Sequence, residues 1–142
     1  MGGDIASHCG EFRPSKYHPL PAMISPNPLF PPSEQNHDPC PGHLFEKINR
    51  DGRNDIPFYC FGTWPDGEAA AEDEPAAMES VRKLQVLDTP MNYILVILAH
   101  DEHISEVIDL FPKDINQWQQ KGWGGKSRWL FLGDFKLAIE YS

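Results

Sequence analysis

Asn92-Tyr-Ile-Leu-Val-Ile-Leu-Ala-His-Asp101 contains the longest uninterrupted apolar run in the sequence, and it ends in a titratable pair. Six consecutive apolar residues, at 93–98, cannot alternate between core and water. Their β-branched content predicts a strand buried on both faces, as in an α/β sheet covered by helices. At about 1.5–3 kcal/mol per large apolar side chain, such a run represents on the order of 9–18 kcal/mol of gross burial. The net stability of a domain is only about 5–15 kcal/mol. His100 and Asp101 follow the carboxyl end of the run, the edge at which open α/β sheets place ligands.

Before the run, Pro75 suits a first helical residue, and Met78, Val81 and Leu84 recur at helical spacing. This predicts a helix that stops near Asp88, because Pro90 forbids continuation. A helix leading directly into a buried strand is half of a βαβ-type unit. After the run, Ile104, Val107, Ile108 and Phe111 predict a short amphipathic helix ended by Pro112. A helical turn is expected at 113–120, a turn at Gly122-Trp-Gly-Gly125, and a closing helix at 127–139. Trp118, Trp123 and Trp129 read first as core anchors, with the lining of a ligand cleft as the alternative.

Nine of the fourteen prolines lie within 14–41, so neither a helix nor an inner strand is expected there. The prediction is a long Pro-rich loop pinned by Tyr17, Leu20, Met23, Ile24, Leu29 and Phe30. Residues 41–48 predict a short helix, Asp51-Gly52 a turn, and 56–61 a short strand or extended piece kept at an edge by Pro57. Residues 66–74 form an acidic, solvated loop.

The 142 residues suit one domain, 1–142. A net charge of −9 leaves no basic face for nucleic acid or an anionic membrane. No apolar segment is long enough to span a membrane, and Met1-Gly-Gly-Asp lacks the pattern of a secretory signal. Cys9, Cys40 and Cys60 are odd in number and widely spaced, which predicts a reduced, cytoplasmic setting.

Two places bring ionisable residues to expected strand ends: Asp4 with Ser7-His8-Cys9, and His100-Asp101. Carboxylate and imidazole match the oxygen and nitrogen ligands of zinc or iron. On residue type alone, Asp4 is a turn carboxylate and His100 a hydrogen-bonded histidine. Asp101 either orients His100 or caps the helix from Glu102, and Asp is a favoured cap. His37, Cys40 and His43 stand at intervals of three, but the flanking prolines oppose their convergence. A Cys9–His100 nucleophilic pair rests on residue type alone. There is no nucleophile elbow, phosphate loop or dinucleotide fingerprint.

Gly2-Gly-Asp4, Gly10-Glu-Phe-Arg-Pro-Ser15, Cys40-Pro-Gly-His-Leu-Phe-Glu46 and Ile97-Leu-Ala-His-Asp101 together resemble the carboxyl-terminal half of fungal metallo-β-lactamase-fold proteins. Asp109-Leu-Phe-Pro-Lys-Asp-Ile-Asn-Gln-Trp118 through Trp129-Leu-Phe-Leu-Gly-Asp-Phe135 resembles the same group. The resemblance implies an α/β (α+β) fold, the second half of an αββα sandwich carrying the Pro-rich loop. It implies that Asp4 bridges two metals, that His100 binds one of them, and that His8 and Asp101 support them. The His-Asp pair is also similar to that of the quorum-quenching lactonases of this fold. The group's His-x-His-x-Asp-His motif is absent, as is the histidine that precedes the matching aspartate. One or two zinc ions are therefore implied for full-length relatives, and weak or absent zinc for this chain.

The implied function is that of a truncated hydrolase-like protein. Its full-length relatives would cleave an ester, lactone or thioester of a small-molecule substrate by metal-bound hydroxide. The alternative is a non-catalytic fragment that needs a partner chain, associating through an exposed sheet edge.

Overall fold

The structure, a computed structural model, describes residues 5–34, 37–60, 66–67, 71–91 and 93–142. Among these, helices form at His43–Ile48 (α1), Glu74–Leu87 (α2), Trp123–Ser127 (α3) and Lys136–Glu140 (α4). Tighter 3-10 turns occupy Cys9–Glu11, Arg50–Gly52, Glu102–Glu106 and Leu130–Phe135. Helix α2 has the strongest local signals and forms as they predict. The Asp73 carboxylate accepts from the Ala76 amide at 3.0 Å, and Pro75 sits in the first turn. Val81 and Leu84 are buried, Met78 stays exposed, and the helix ends at Asp88.

The Pro-rich segment contains the only sheet among the described residues. Met23–Ile24 (β1) pairs antiparallel with Cys40–Pro41 (β2), placing Met23 opposite Pro41 and Ile24 opposite Cys40. The chain is therefore of mixed α/β type. Leu20, Ile24 and Cys40 enter the core and Leu29 packs against it, whereas Tyr17, Met23 and Phe30 remain exposed. The segment is pressed against the start of α1. The Gly42 amide donates to Ala22 O at 2.8 Å, and a Cβ on Gly42 would stand 2.0 Å from Pro21 O.

The run at 93–98 departs from expectation. No strand includes it among the described residues, and Tyr93 and Ile94 are exposed at 74% and 40%. Only Val96 and Leu98 reach the main core, while Ile97 packs against the smaller cluster of Ile104, Ile108 and Trp123. A strand buried on both faces needs ladder partners and a covering layer on each side. Leu98 makes a single backbone bridge and residues 96–98 pack on two clusters, but no ladder extends along the run among the described residues, and its first part, Tyr93 and Ile94, is an exposed apolar surface. The 56–60 piece is extended rather than a strand, tied by the Tyr59 amide to Gly10 O at 3.0 Å.

Downstream, the expected helices are shorter or broken. Residues 104–111 give only the turn at Glu102–Glu106, and Phe111 is exposed at 96%. Residues 113–120 form turns, and the expected turn at Gly122-Trp-Gly-Gly125 opens α3 instead. The closing segment divides into the turn at Leu130–Phe135 and α4. Gly133 permits this tight path: a Cβ there would lie 2.7 Å from Pro28 O. Phe12, Ile24, Phe45 and Leu132 are fully enclosed at the centre, with Trp129 and Phe131 beside them. Trp123 and Trp129 are thus core anchors. No described helix is long and apolar enough to cross a membrane.

Candidate functional site

The turn Cys9–Glu11 carries the first part of the site. His8 caps it, its Nδ1 accepting from the Gly10 amide at 2.9 Å. That amide has only a proton to give, so Nδ1 holds a lone pair and neutral His8 carries its proton on Nε2. Nε2 donates to Asp134 Oδ2 at 3.0 Å, while His103 Nε2 donates to Asp134 Oδ1 at 3.0 Å. The His8 ring also meets Tyr59 and Phe131 edge-on, at 5.0 and 5.6 Å between centroids. Gly10 leaves room for this, because a Cβ there would lie 2.9 Å from His8 Nδ1 and 3.0 Å from the Tyr59 ring. Burial, helped by the Asp134 charge, pushes the Tyr59 hydroxyl above its ordinary value.

Cys9 lies beneath this layer. Its Sγ donates to Asp101 Oδ2 at 3.4 Å and accepts from Arg13 Nη1 at 3.7 Å. Burial pushes the thiol up to about 12; Arg13 opposes the shift and Asp101 adds to it. A thiol so held is a hydrogen-bond donor rather than a nucleophile, which removes the Cys9–His100 pair from consideration. Asp101 precedes the turn at Glu102–Glu106 but makes no side-chain cap bond; its carboxylate is engaged by Cys9. The expected capping role is thereby corrected.

Arg13 continues inward to a fully enclosed ion pair. Its Nε and Nη2 donate to Asp88 Oδ2 and Oδ1 at 2.7 and 2.8 Å, and its Nη1 donates to Arg128 O at 3.1 Å. Arg128 bonds His18 Nδ1 and donates to Thr89 O at 2.9 Å. Burial alone would raise the Asp88 carboxyl, but the Arg13 charge and hydrogen bonds, with Arg128 and His18, hold it below its ordinary value. No buried side-chain nitrogen or oxygen among the described residues lacks a partner.

The four residues singled out for a metal site fare differently. Asp4 lies outside the described residues. His100 is exposed on the turn that ends the apolar run. His8 and Asp101 are engaged by Asp134 and Cys9. No group of three His, Cys, Asp or Glu among the described residues is arranged to hold a metal ion. His8 shows why in its own case: a nitrogen bearing a proton offers no lone pair to a metal. The described donors therefore do not make a metal site by themselves. His37, Cys40 and His43 do not make one either: His37 stacks on Phe30 and bonds Glu34, and Cys40 is buried. On the far side of Tyr59 lies a cleft of about 710 Å³, lined by Glu11, Arg50, Tyr59, Met78 and Arg82 among others.

Sequence reasoning missed His103, Asp134, Arg13 and Asp88. Asp134 sits in a Gly-Asp-Phe step that ends an apolar run, much as Asp101 ends another, and that parallel was its one available signal.

Comparison with known proteins adds a relationship. The chain is 41% identical over 135 residues, 95% of its length, to the gamma-lactamase FDB1 of Fusarium pseudograminearum, of which it covers 31%. It is 36% identical over 141 residues to the metallo-hydrolase mfmC of Annulohypoxylon moriforme, covering 99% of this chain and 34% of that protein. A gamma-lactamase of Gibberella moniliformis is 45% identical over 84 residues, 59% of this chain and 32% of the relative. No family model matches the chain. No solved structure gives a significant match. The chain thus spans about a third of the length of these relatives, and the similarity, across nearly all of it for the first two and over half of it for the third, supports a metallo-β-lactamase-like family, in which this chain corresponds to a portion of the larger proteins.

Proposed function

We propose that the chain is a portion of a hydrolase in which the turns after Asp4 and after the apolar run meet at one site. The single observation that carries this reading is the joining of those turns, through His8, His103 and Asp134. They lie in a chain whose relatives are named gamma-lactamase and metallo-hydrolase. The proposed reaction is hydrolysis of a small ester, lactone or thioester, and the relatives' names bring a cyclic amide into the same acyl class. The cleft beside Tyr59 has the size of a small-molecule pocket, which supports a substrate of that kind. Asp4 and His100 are the residues proposed to reach a zinc centre, and residues beyond this chain would have to complete it. The completed domain is proposed to be the αββα sandwich of the family. Three free thiols support a reducing, cytoplasmic setting.

A second reading, an association domain without its own turnover, is favoured by the exposed apolar surface around Ile94. There a groove of about 210 Å³ is lined by Ile5, Leu84, Leu87, Ile94, Leu95 and Val96. One experiment separates the two readings: co-expression of this chain with the portion of the Fusarium gamma-lactamase that it does not cover. Co-purification with hydrolysis of a five-membered lactam or lactone supports the hydrolase reading. Co-purification without hydrolysis of any acyl substrate supports association alone. Turnover by the isolated chain would overturn the view that its site is incomplete.

A further inference from the structure

We infer that Asp134 is a positioning residue, which clamps the turn after Asp4 to the turn after His100 by holding two histidines in one fixed tautomer. His8 stands four residues beyond Asp4 and His103 three beyond His100, so the clamp lies shortly behind each of the two candidate residues. It rests on the proposed site for its functional meaning, and on geometry alone for its existence. A carboxylate can only accept, so both imidazoles must present Nε2–H to it. His8 has no freedom in this, because the Gly10 amide occupies Nδ1. The aromatic edges of Tyr59, Phe131 and Phe135 further fix the plane of its ring. Among the described residues, the His103 ring is held in the same tautomer by its bond to Asp134 alone.

That asymmetry separates a positioning carboxylate from a residue that merely fills space. In Asp134→Asn the side chain offers one acceptor oxygen and one donor nitrogen. Locked His8 retains the oxygen, and the amide nitrogen then faces His103, whose proton must move from Nε2 to Nδ1 for a bond to survive. In Asp134→Ala both contacts vanish, and the His8 ring is free to leave the Gly10 amide.

The test is long-range nitrogen–proton NMR on the full chain labelled at histidine nitrogens. It is recorded near pH 8, above the ordinary imidazole range of about 6.5. The parent chain is expected to show His8 and His103 both as Nε2–H tautomers. Asp134→Asn is expected to switch His103 alone to Nδ1–H, with the tautomer of His8 unchanged. In Asp134→Ala, exchange of the Gly10 amide should accelerate by about tenfold, the scale set by loss of one ordinary hydrogen bond. An Nδ1–H tautomer for His103 in the parent chain would overturn the inference. So would Asp134→Asn spectra in which neither histidine changes, or in which His8 switches instead. The Asn variant preserves the shape of the side chain, so the test does not depend on the Ala variant folding. None of these readouts involves turnover: a chain that hydrolyses nothing can still show the clamp, and a chain without the clamp can still be part of a hydrolase.

Discussion

Asp88 and Arg13 are the two residues whose chemistry is most constrained, because both charges are taken out of water and each is the other's main partner. Replacing Asp88 by Asn would leave a buried guanidinium without its counter-charge. The expected loss is about 3–5 kcal/mol, measurable as a lower urea midpoint with an unchanged slope. The same pair gives the chain an acid sensitivity of defined sign. The Asp88 carboxyl is held below its ordinary value, so its contribution is complete above the unfolded carboxylate value of about 3.9 and is lost as pH falls through the folded one. His18 is also held below its ordinary value, by burial first and by Arg128 next. The unfolded chain therefore takes up this proton more readily, and stability begins to fall as pH drops through about 6.5. Thermal melts from pH 8 to 3 should show two declines, the lower one shallower in Asp88→Asn but not absent, since Asp55 and Asp109 are also held below their ordinary values; a flat profile down to pH 5 would exclude the His18 contribution. Cys9 gives a simpler check. Its thiol is buried and pushed up to about 12, whereas Cys60 is exposed. Iodoacetamide on the native chain should label Cys60 and spare Cys9, as read by peptide mass spectrometry.

At the scale of elements, what the sequence made legible was whatever its immediate neighbours decide. Helix α2 has a capping aspartate, a proline in its first turn and a stop before Pro90, all local instructions, and it formed where they placed it. Asp73→Ala should cost this helix about 1 kcal/mol, the usual value for a lost N-cap, read from the denaturation midpoint. Helix α1 was legible for the same reason, but its junction with the Pro-rich segment was not, because the contact of Gly42 with Pro21 links residues that no local pattern connects. A methyl group there must displace backbone rather than a flexible side chain. Gly42→Ala is therefore expected to destabilise by about 1–3 kcal/mol, the range for overpacking. The run at 93–98 was misread for the converse reason. Its apolar content truly calls for burial on both faces, but burial is supplied by other elements, and the described ones cover Val96, Ile97 and Leu98 while leaving Tyr93 and Ile94 exposed. The site shows the same division. His100 and Asp101 were visible because they end an apolar run; His103 and Asp134 were not, because they meet from 31 positions apart in the chain.

At the scale of the whole molecule, these observations converge on the surface around Ile94. Leu87 and Ile94 are exposed at a groove that Leu84 and Val96 also line, and the exposed Met91 and Tyr93 line a second cleft reached from the same segment. Contiguous exposed apolar surface of this kind is uncommon on monomers and marks an interaction face. The matched stretch is about a third of each relative, so the relatives carry further polypeptide beyond the part that corresponds to this chain. With the net charge at −9, long-range repulsion between copies opposes association, and it is screened as salt rises. Net charge and apolar surface therefore act in opposite directions on a single observable, and salt weakens the charge. Sedimentation velocity on the reduced chain at tens of micromolar should show concentration-dependent species larger than 16.1 kDa, more of them at high salt than at low. Changing Tyr93 and Ile94 to Lys adds charge to the face without disturbing the core, since both side chains are exposed, and should return the chain to a monomer. If the parent chain sediments as a monomer at every concentration and salt, the surface is not sufficient for association, and the second reading of function loses its main support. If the double variant associates as strongly as the parent, association occurs through another face, and the groove beside Leu84 has no part in it.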